Sequence, residues 1–470
     1  MSYGIYVGRN HSATNQAWLA GYGDEPSSHW LEVVPRRRHA QGSTVTVGVT
    51  PEARMPGRLS EIAQVAETAR NLRVSYSHYR GVPAPLTNGG LNEHGVAVRD
   101  IWSTSRAELI EMTPKDQSGP NYSDLARLVL ERARSAREGV ELIGALIAAH
   151  GYSTYGGNSH LIADPDEGWV VIEYAGGQKL WAAERLGADS IRVSRPGYIG
   201  VMPESELGDR FLAAPNFHAF AESQGWWRRG APFDANAVYG DGMGRWAGVA
   251  WMEGELAARA ARPEKIGLAD LMWALRTPRL TGDTAGYGQI VPLLHPAHAS
   301  LRLLWHAHVG ALAAPFVPLF LGIASVPEEF RQHRYLTDGE DARFMDTRHG
   351  EAISAVAQGI ESTRSATASF KRLLYLLLQQ QGFIAEVTQT FDALERHLDT
   401  QQQTAAKAAA VLLAAGEEPV AAAVLTYFCD TELRRSLELA EILAASIEAR
   451  TRLLYGIGDD PVPKAVEQLW

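Results

Sequence analysis

The chain changes character near residue 350, and that change constrains the fold more than any other feature of its 470 residues. Segments 351–381, 383–413 and 418–455 are nearly free of proline and rich in Ala, Leu, Gln and Glu, so three or four long helices are predicted there. Leu433, Leu437, Ala440, Leu443, Ile447 and Leu454 recur at spacings of three, four and seven, a stripe that suits a core or a subunit contact. Upstream the pattern is mixed. Val45, Val47 and Val49 alternate with Thr and Gly over 43–50, as in a half-buried strand, and Trp169, Val170, Val171 and Ile172 run together, as in a strand covered on both faces. Between them, 122–150 reads as helix, with Leu125, Leu128 and Val129 on one face and Asn121 or Ser123 as its cap. Strands on both sides of helical segments imply a layered α+β fold, and the periodicities alone allow several of these.

Composition bounds the function classes. Hydrophobic content of 46% and charged content of 21% are ordinary for a globular protein. The length admits two or three domains, or one large layered core with an appended module. A net charge of −10 argues against a nucleic-acid partner, and the one basic run, Arg36-Arg37-Arg38-His39, reads as a strand end or solvated turn. The single cysteine, Cys429, excludes an internal disulfide and a cysteine-based zinc site, and its apolar helical surroundings suit a buried small hydrophobe. The first residues lack the basic and long apolar regions of an export signal. The apolar stretch 309–326 carries Pro315 and Pro318, which argue against a membrane span, so a cytoplasmic protein with no membrane partner is expected.

Neither a metal nor a cofactor is expected. No His-Glu-x-x-His pair occurs, and the spacings of His295 with His298 and His306 with His308 arise readily without metal. No dinucleotide turn or phosphate loop is present, and Tyr239-Gly-Asp-Gly-Met-Gly244 reads as a flexible turn. Trp226, Trp227, Trp246 and Trp251 suit core packing, with a substrate pocket beside the N-terminus as the alternative.

The start of the chain carries the chemistry. Ser2 follows Met1 and leads into the apolar run Ile5-Tyr6-Val7-Gly8, which reads as a strand. A small second residue lets Met1 be trimmed, which would place a hydroxyl and a free α-amine on one residue. That amine, with a reference pKa of about 7.7–8.0, can take the hydroxyl proton near neutral pH.

Six ordered motifs then point to one family. They are Ser2 to Gly8 with Asp24 and Val33-Val34-Pro35-Arg36; Gly90-Leu91-Asn92-Glu93-His94-Gly95-Val96-Ala97; the helix with Leu130-Glu131-Arg132-Ala133, Ala136-Arg137-Glu138 and Gly151-Tyr152; Ile162-Ala163-Asp164-Pro165 through Val171; Trp181-Ala182-Ala183-Glu184-Arg185; and Pro315-Phe316-Val317-Pro318 with Gly322-Ile323. Over about residues 2–345 the sequence resembles the dipeptidase A and secernin family of N-terminal-nucleophile hydrolases. The resemblance implies a four-layer αββα sandwich over 1–345, followed by a mainly helical region over 346–470.

Ser2 falls where the resembled family carries its nucleophilic cysteine, and Asp24 is retained to orient the amine. Two further positions depart from the pattern. The family's basic residue three positions before the aspartate corresponds to Gly21, and its oxyanion asparagine corresponds most closely to Gly197, where loss of one donor can cost about 100–1000-fold in rate. Asn88 and Asn92, with Asp100 or Ser103, could supply polar groups near the site. For Asn92 a buried turn asparagine bonded to backbone is the competing reading. The resemblance implies an amidohydrolase acting on a dipeptide or N-acyl amino acid through Ser2. Its alternatives are an amide-forming acyltransferase and a non-catalytic scaffold. The helical tail suits a homo-oligomer, at least a dimer.

Overall fold

Two antiparallel sheets lie face to face with helices on both outer surfaces, in a computed structural model that describes residues 2–25, 27–77, 82–83, 85–282, 284–331, 345–346, 351–352 and 364–455. The six-stranded sheet runs in the order Ile191–Ser194, Tyr3–Val7, Ala17–Gly23, Tyr287–Leu293, Leu303–His308, Val317–Phe320. The eight-stranded sheet runs Phe211–Ala213, Trp181–Leu186, Gly168–Glu173, Asn158–Ala163, Ala97–Trp102, Leu86–Asn92, Asn71–Tyr76, His29–Val34. Helices Tyr122–Arg132 and Ala136–His150 cover the larger sheet, and Leu268–Arg276 with Ala247–Ala260 covers the smaller. The sheets meet where Tyr3–Val7 and Ala17–Gly23 oppose Ala97–Trp102. The result is the four-layer α+β architecture expected above.

Local signals explain most element ends. The expected helix over 122–150 is two helices, because Ala133 is extended and Ser135 starts the second by accepting a bond from the Glu138 N–H. Asn121, rather than Ser123, caps the first in a reciprocal capping box with Asp124, and its amide also donates to Gly48 O at 2.7 Å. The Gly168–Glu173 strand is buried throughout, as its unbroken apolar run requires. Of the alternating valines, Val45 and Val47 lie in Thr44–Gly48, which forms a separate two-stranded hairpin with Leu59–Ala63, and Val49 follows that strand.

Beyond the core strands the chain is helical, with one correction. Glu351–Ala352 pairs with Met345–Asp346 as a short strand, and the helix expected from 351 begins at Ala366, capped by Ser365. The boundary expected at 345/346 is flanked by residues outside the described set. Helices Ala366–Gln379, Ile384–Ala414 and Glu418–Tyr455 follow. They pack on Leu303–His308 and Val317–Phe320, and their buried residues join the same hydrophobic core as the sheets. Leu433, Leu437, Ala440, Leu443 and Ile447 are buried in that core, whereas Leu454 lies exposed. Cys429 sits there too, its Sγ donating to Pro318 O, and burial pushes its thiol up to about 12. No helix among the described residues is long and apolar enough to cross a membrane.

Replacing Asn121 by alanine removes a cap and a buried bond to the neighbouring hairpin. We expect a loss of about 2 kcal/mol, read as a lower urea midpoint at unchanged slope.

Candidate functional site

Strand alternation aims Ser2 into the gap between the sheets. In Tyr3–Val7, Gly4 and Tyr6 face the larger sheet: a Cβ on Gly4 would lie 2.6 Å from Ile101 Cδ1, and one on Gly168 would lie 2.7 Å from the Tyr6 ring. Ser2 shares their parity and is 6% exposed. Its Oγ donates to Glu25 Oε1 at 2.9 Å.

Glu25 gathers three side chains. Its second oxygen accepts from Asn88 Nδ2 at 2.9 Å and faces His29 Nε2 at 3.3 Å. His29 Nδ1 lies 2.9 Å from Ser27 O, and because a carbonyl only accepts, Nδ1 carries a hydrogen. The contact between Nε2 and Oε2 then requires one more proton, shared between the imidazole and the carboxyl. Burial works against the Glu25 charge, but the bonds from His29, Asn88 and Ser2 outweigh it and hold the carboxyl below its usual range. His29 is further fixed by stacking on Tyr76, with ring centroids 5.4 Å apart.

Asp24, the next residue back, accepts a bond from the Thr284 hydroxyl and is 8% exposed. Two glycines beside it leave bare backbone facing the gap. A Cβ on Gly21 would lie 2.7 Å from Arg99 Cδ, and one on Gly23 would lie 2.0 Å from the Tyr287 ring and 3.0 Å from Glu25 Oε2. The space over Gly21, where the sequence resemblance expects a basic side chain, is thus filled by Arg99 from the facing sheet. Arg99 is fully buried, and Nη1 donates to Val98 O at 2.6 Å and Gly90 O at 3.2 Å. Burial lowers it to about 10, with Tyr287 opposing, so it stays cationic at neutral pH.

A polar chain ties this gap to the C-terminal helices. Thr367 donates to His29 O at 2.8 Å and therefore accepts from His308 Nε2 at 3.1 Å. His308 Nδ1 meets His306 Nε2 at 3.2 Å, and His306 Nδ1 meets Gln289 Nε2 at 3.2 Å. With both imidazoles neutral, one direction of donation satisfies every link. Burial accounts for that neutrality, lowering His306 to about 3 and holding His308 well below the usual histidine range, helped by neighbouring histidines. Lys371, on the same helix as Thr367, donates to Ala285 O at 2.6 Å and so steadies the loop that presents Thr284 to Asp24.

Of the residues singled out in the sequence, Ser2 and Asn88 meet at Glu25, and Asp24 lies beside them with its carboxylate on Thr284. Asn92 is elsewhere. Its amide donates to Leu130 O and Ala133 O and its oxygen accepts from the His94 and Val96 N–H groups, so all its polar capacity goes to backbone and it is a turn and helix anchor. Gly197 packs its backbone on Ser159, where a Cβ would lie 2.3 Å from Ser159 Cβ. Asp100 points to the other face of its strand, bonded by Asn158 at 2.6 Å near the His160–Glu173 pair, and burial pushes it up to about 7. Ser103 makes a long contact of 3.5 Å to Gly197 O. The four tryptophans are partly buried against the core. Met1, whose removal would free the Ser2 amine, lies outside the described residues. Sequence reasoning missed Glu25, His29, Arg99 and Tyr287. The doubled glycine of Gly21-Tyr22-Gly23 inside a strand was the available signal, since it marks a close approach.

Comparison with known proteins gives a partial match. Residues 79–243 match Peptidase family C69. A probable dipeptidase B of Lactococcus lactis subsp. lactis is 37% identical over 106 residues, 22% of each chain. A probable dipeptidase A of Streptococcus pyogenes is 32% identical over 130 residues, 26% of this chain and 27% of its own. The chain therefore spans about a quarter of the length of the curated relatives it matches. A conjugated bile acid hydrolase from Clostridium perfringens aligns over 68% of this chain and 92% of its own, at 11% identity and a TM-score of 0.33. The family match includes Asn88, Asn92, Arg99 and Gly197 and stops short of Ser2, Asp24 and Glu25.

Two variants separate anchoring from chemistry. We expect Asn92→Ala to lose about 3 kcal/mol of stability, because it strands buried backbone groups, read as a lower urea midpoint. For Glu25, a depressed folded pKa means its stabilisation is complete above the unfolded glutamate value near 4.3 and fades as pH falls through the lower folded value. The stability gap between wild type and Glu25→Gln should accordingly be level from pH 8 to 5 and shrink below about pH 4. A gap constant to pH 3 in chemical denaturation would show that the carboxylate is not stabilised in the fold.

Proposed function

We propose that this chain is an amidohydrolase of the N-terminal-nucleophile type, acting on a dipeptide or N-acyl amino acid through Ser2. The observation that carries the reading is the buried bond from Ser2 Oγ to Glu25 Oε1, at the start of a strand that enters the gap between the sheets. The similarity of 79–243 to Peptidase family C69, and of short segments to probable dipeptidases, supports amide-bond chemistry.

After loss of Met1, the Ser2 amine takes the hydroxyl proton and Oγ attacks the amide carbonyl. The C–N bond breaks as the ammonium returns that proton to the leaving nitrogen, which leaves an ester on Ser2. Water, deprotonated by the same amine, then releases the acid and restores the hydroxyl. Glu25 holds the hydroxyl hydrogen in the resting state but is a poor store for the proton because its carboxyl is held low, so the hydrogen turns from Glu25 to the amine, which acts as base. Asp24, adjacent in sequence, supplies negative charge for the ammonium form. An amine in place of water turns the same intermediate into an acyltransferase. A non-catalytic scaffold is the competing reading, favoured by Gly197, which offers no side-chain donor.

Intact mass before and after exposure to a panel of dipeptides and N-acyl amino acids tests this. We expect a mass lacking Met1 and an acyl adduct on Ser2. Ser2→Ala should lower kcat/KM by more than about 1000-fold, and Ser2→Cys should retain activity. Retention of Met1, or full activity in Ser2→Ala, would end the proposal.

A further inference from the structure

Among the described residues, five buried polar atoms around the Ser2–Glu25 contact have no hydrogen-bond partner: Arg99 Nε and Nη2, Tyr287 Oη, Gln289 Oε1 and Asn88 Oδ1. Their positions are linked. Gln289 pairs with Gly21, over which the Arg99 stem lies, and Tyr287 pairs with Gly23, which its ring and Glu25 both touch. Asn88 donates to Glu25, leaving its oxygen unused beside the same pair. Orphaned donors and acceptors of this kind each carry the desolvation cost of an unmade bond, and an unpaired buried guanidinium carries much more.

The charge balance identifies what is missing. Glu25 already accepts from Ser2 and Asn88 and faces His29, and no carboxylate among the described residues is bonded to Arg99, whose guanidinium spends only Nη1, on two backbone carbonyls. Its two free N–H groups form one edge of the planar fork that suits a carboxylate, and Tyr287 adds a hydroxyl donor. One guanidinium balances a carboxylate and falls short of a phosphate dianion. Spacing fits as well. Gly21 and Gly23 are one strand repeat apart, about 7 Å. An extended residue covers about 3.5 Å and a charge-assisted bond about 2.8 Å, so a single residue past the scissile bond bridges Ser2 to Arg99.

We propose that Arg99 is the receptor for a free carboxylate on the substrate, so that the gap takes amides whose leaving residue ends in a carboxylate one residue beyond the scissile bond. This rests on Ser2 being the nucleophile. Arg99 and Tyr287 hold the carboxylate, and Asn88 Oδ1 accepts an N–H of the bound amide.

The test compares the best substrate of a dipeptide panel with its C-terminal carboxamide. Wild type should prefer the free acid by at least about 100-fold in kcat/KM, a margin matching a lost charged partner. Arg99→Gln should reduce that ratio to below about tenfold, chiefly through KM for the acid. An unchanged ratio would overturn the proposal. Should Arg99→Gln fail to fold, Tyr287→Phe removes one donor only and should lower the ratio by about fivefold; an unchanged ratio there would again count against it. Absence of turnover and of a Ser2 adduct in wild type defeats the functional reading alone. The carboxylate site is then read by calorimetric titration of Ser2→Ala with N-acetylalanine and its amide: heat from the acid only, lost when Arg99→Gln is added, supports it, and no preference for the acid overturns it.

Discussion

The approach of Arg99 to the bare backbone of Gly21 sets what the gap between the sheets can contain. Two sheets packed at ordinary spacing fill the space between them with apolar side chains. Here Gly4, Gly21 and Gly23 withhold theirs, and the volume released goes to Ile101, to a guanidinium, and to Tyr287 with Glu25. The hydrophobic interior is consequently interrupted along one line. Ser2 enters that line from the end of an edge-adjacent strand, and its hydroxyl finds a carboxylate rather than a methyl group.

The helical region after residue 364 belongs to the same physical unit. Thr367 fixes the backbone of His29 and Lys371 fixes the backbone of Ala285, and those two segments carry the partners of Glu25 and Asp24. Thr367 and Lys371 each act at one remove, by holding a residue that does the contacting, which gives buried polar side chains on an otherwise apolar helix face a reason to be there.

Much of the architecture was legible because it rests on periodicity. The buried strand around Trp169–Ile172, the helices of 122–150 and the stripe from Leu433 to Ile447 followed from spacing and capping chemistry. What was not legible depended on contacts across the sheets. The break at Ala133 divides a continuous helical pattern, and the short strand at Glu351–Ala352 exists through its pairing with Met345–Asp346. Asn92 and Asn88 sit four residues apart in similar company, and only the fold separates an anchor bonded wholly to backbone from a residue bonded to Glu25 beside Ser2. Glu25 and His29 stand four residues apart, but His29 begins a strand, so their spacing gives no helical face that would single them out. Arg99 could not be found from the gap at Gly21, because it comes from a different strand of the opposite sheet.

The bond between Thr367 and the backbone of His29 spans 338 residues of chain. Contacts so distant in sequence form late, after the entropy of closing a very long loop has been met. During synthesis, Ser2 emerges long before the segment around Thr367 that steadies its surroundings. The order of manufacture thus separates possession of the Ser2 hydroxyl from its alignment on Glu25, and a nascent chain carries that group long before it carries the surroundings that hold it.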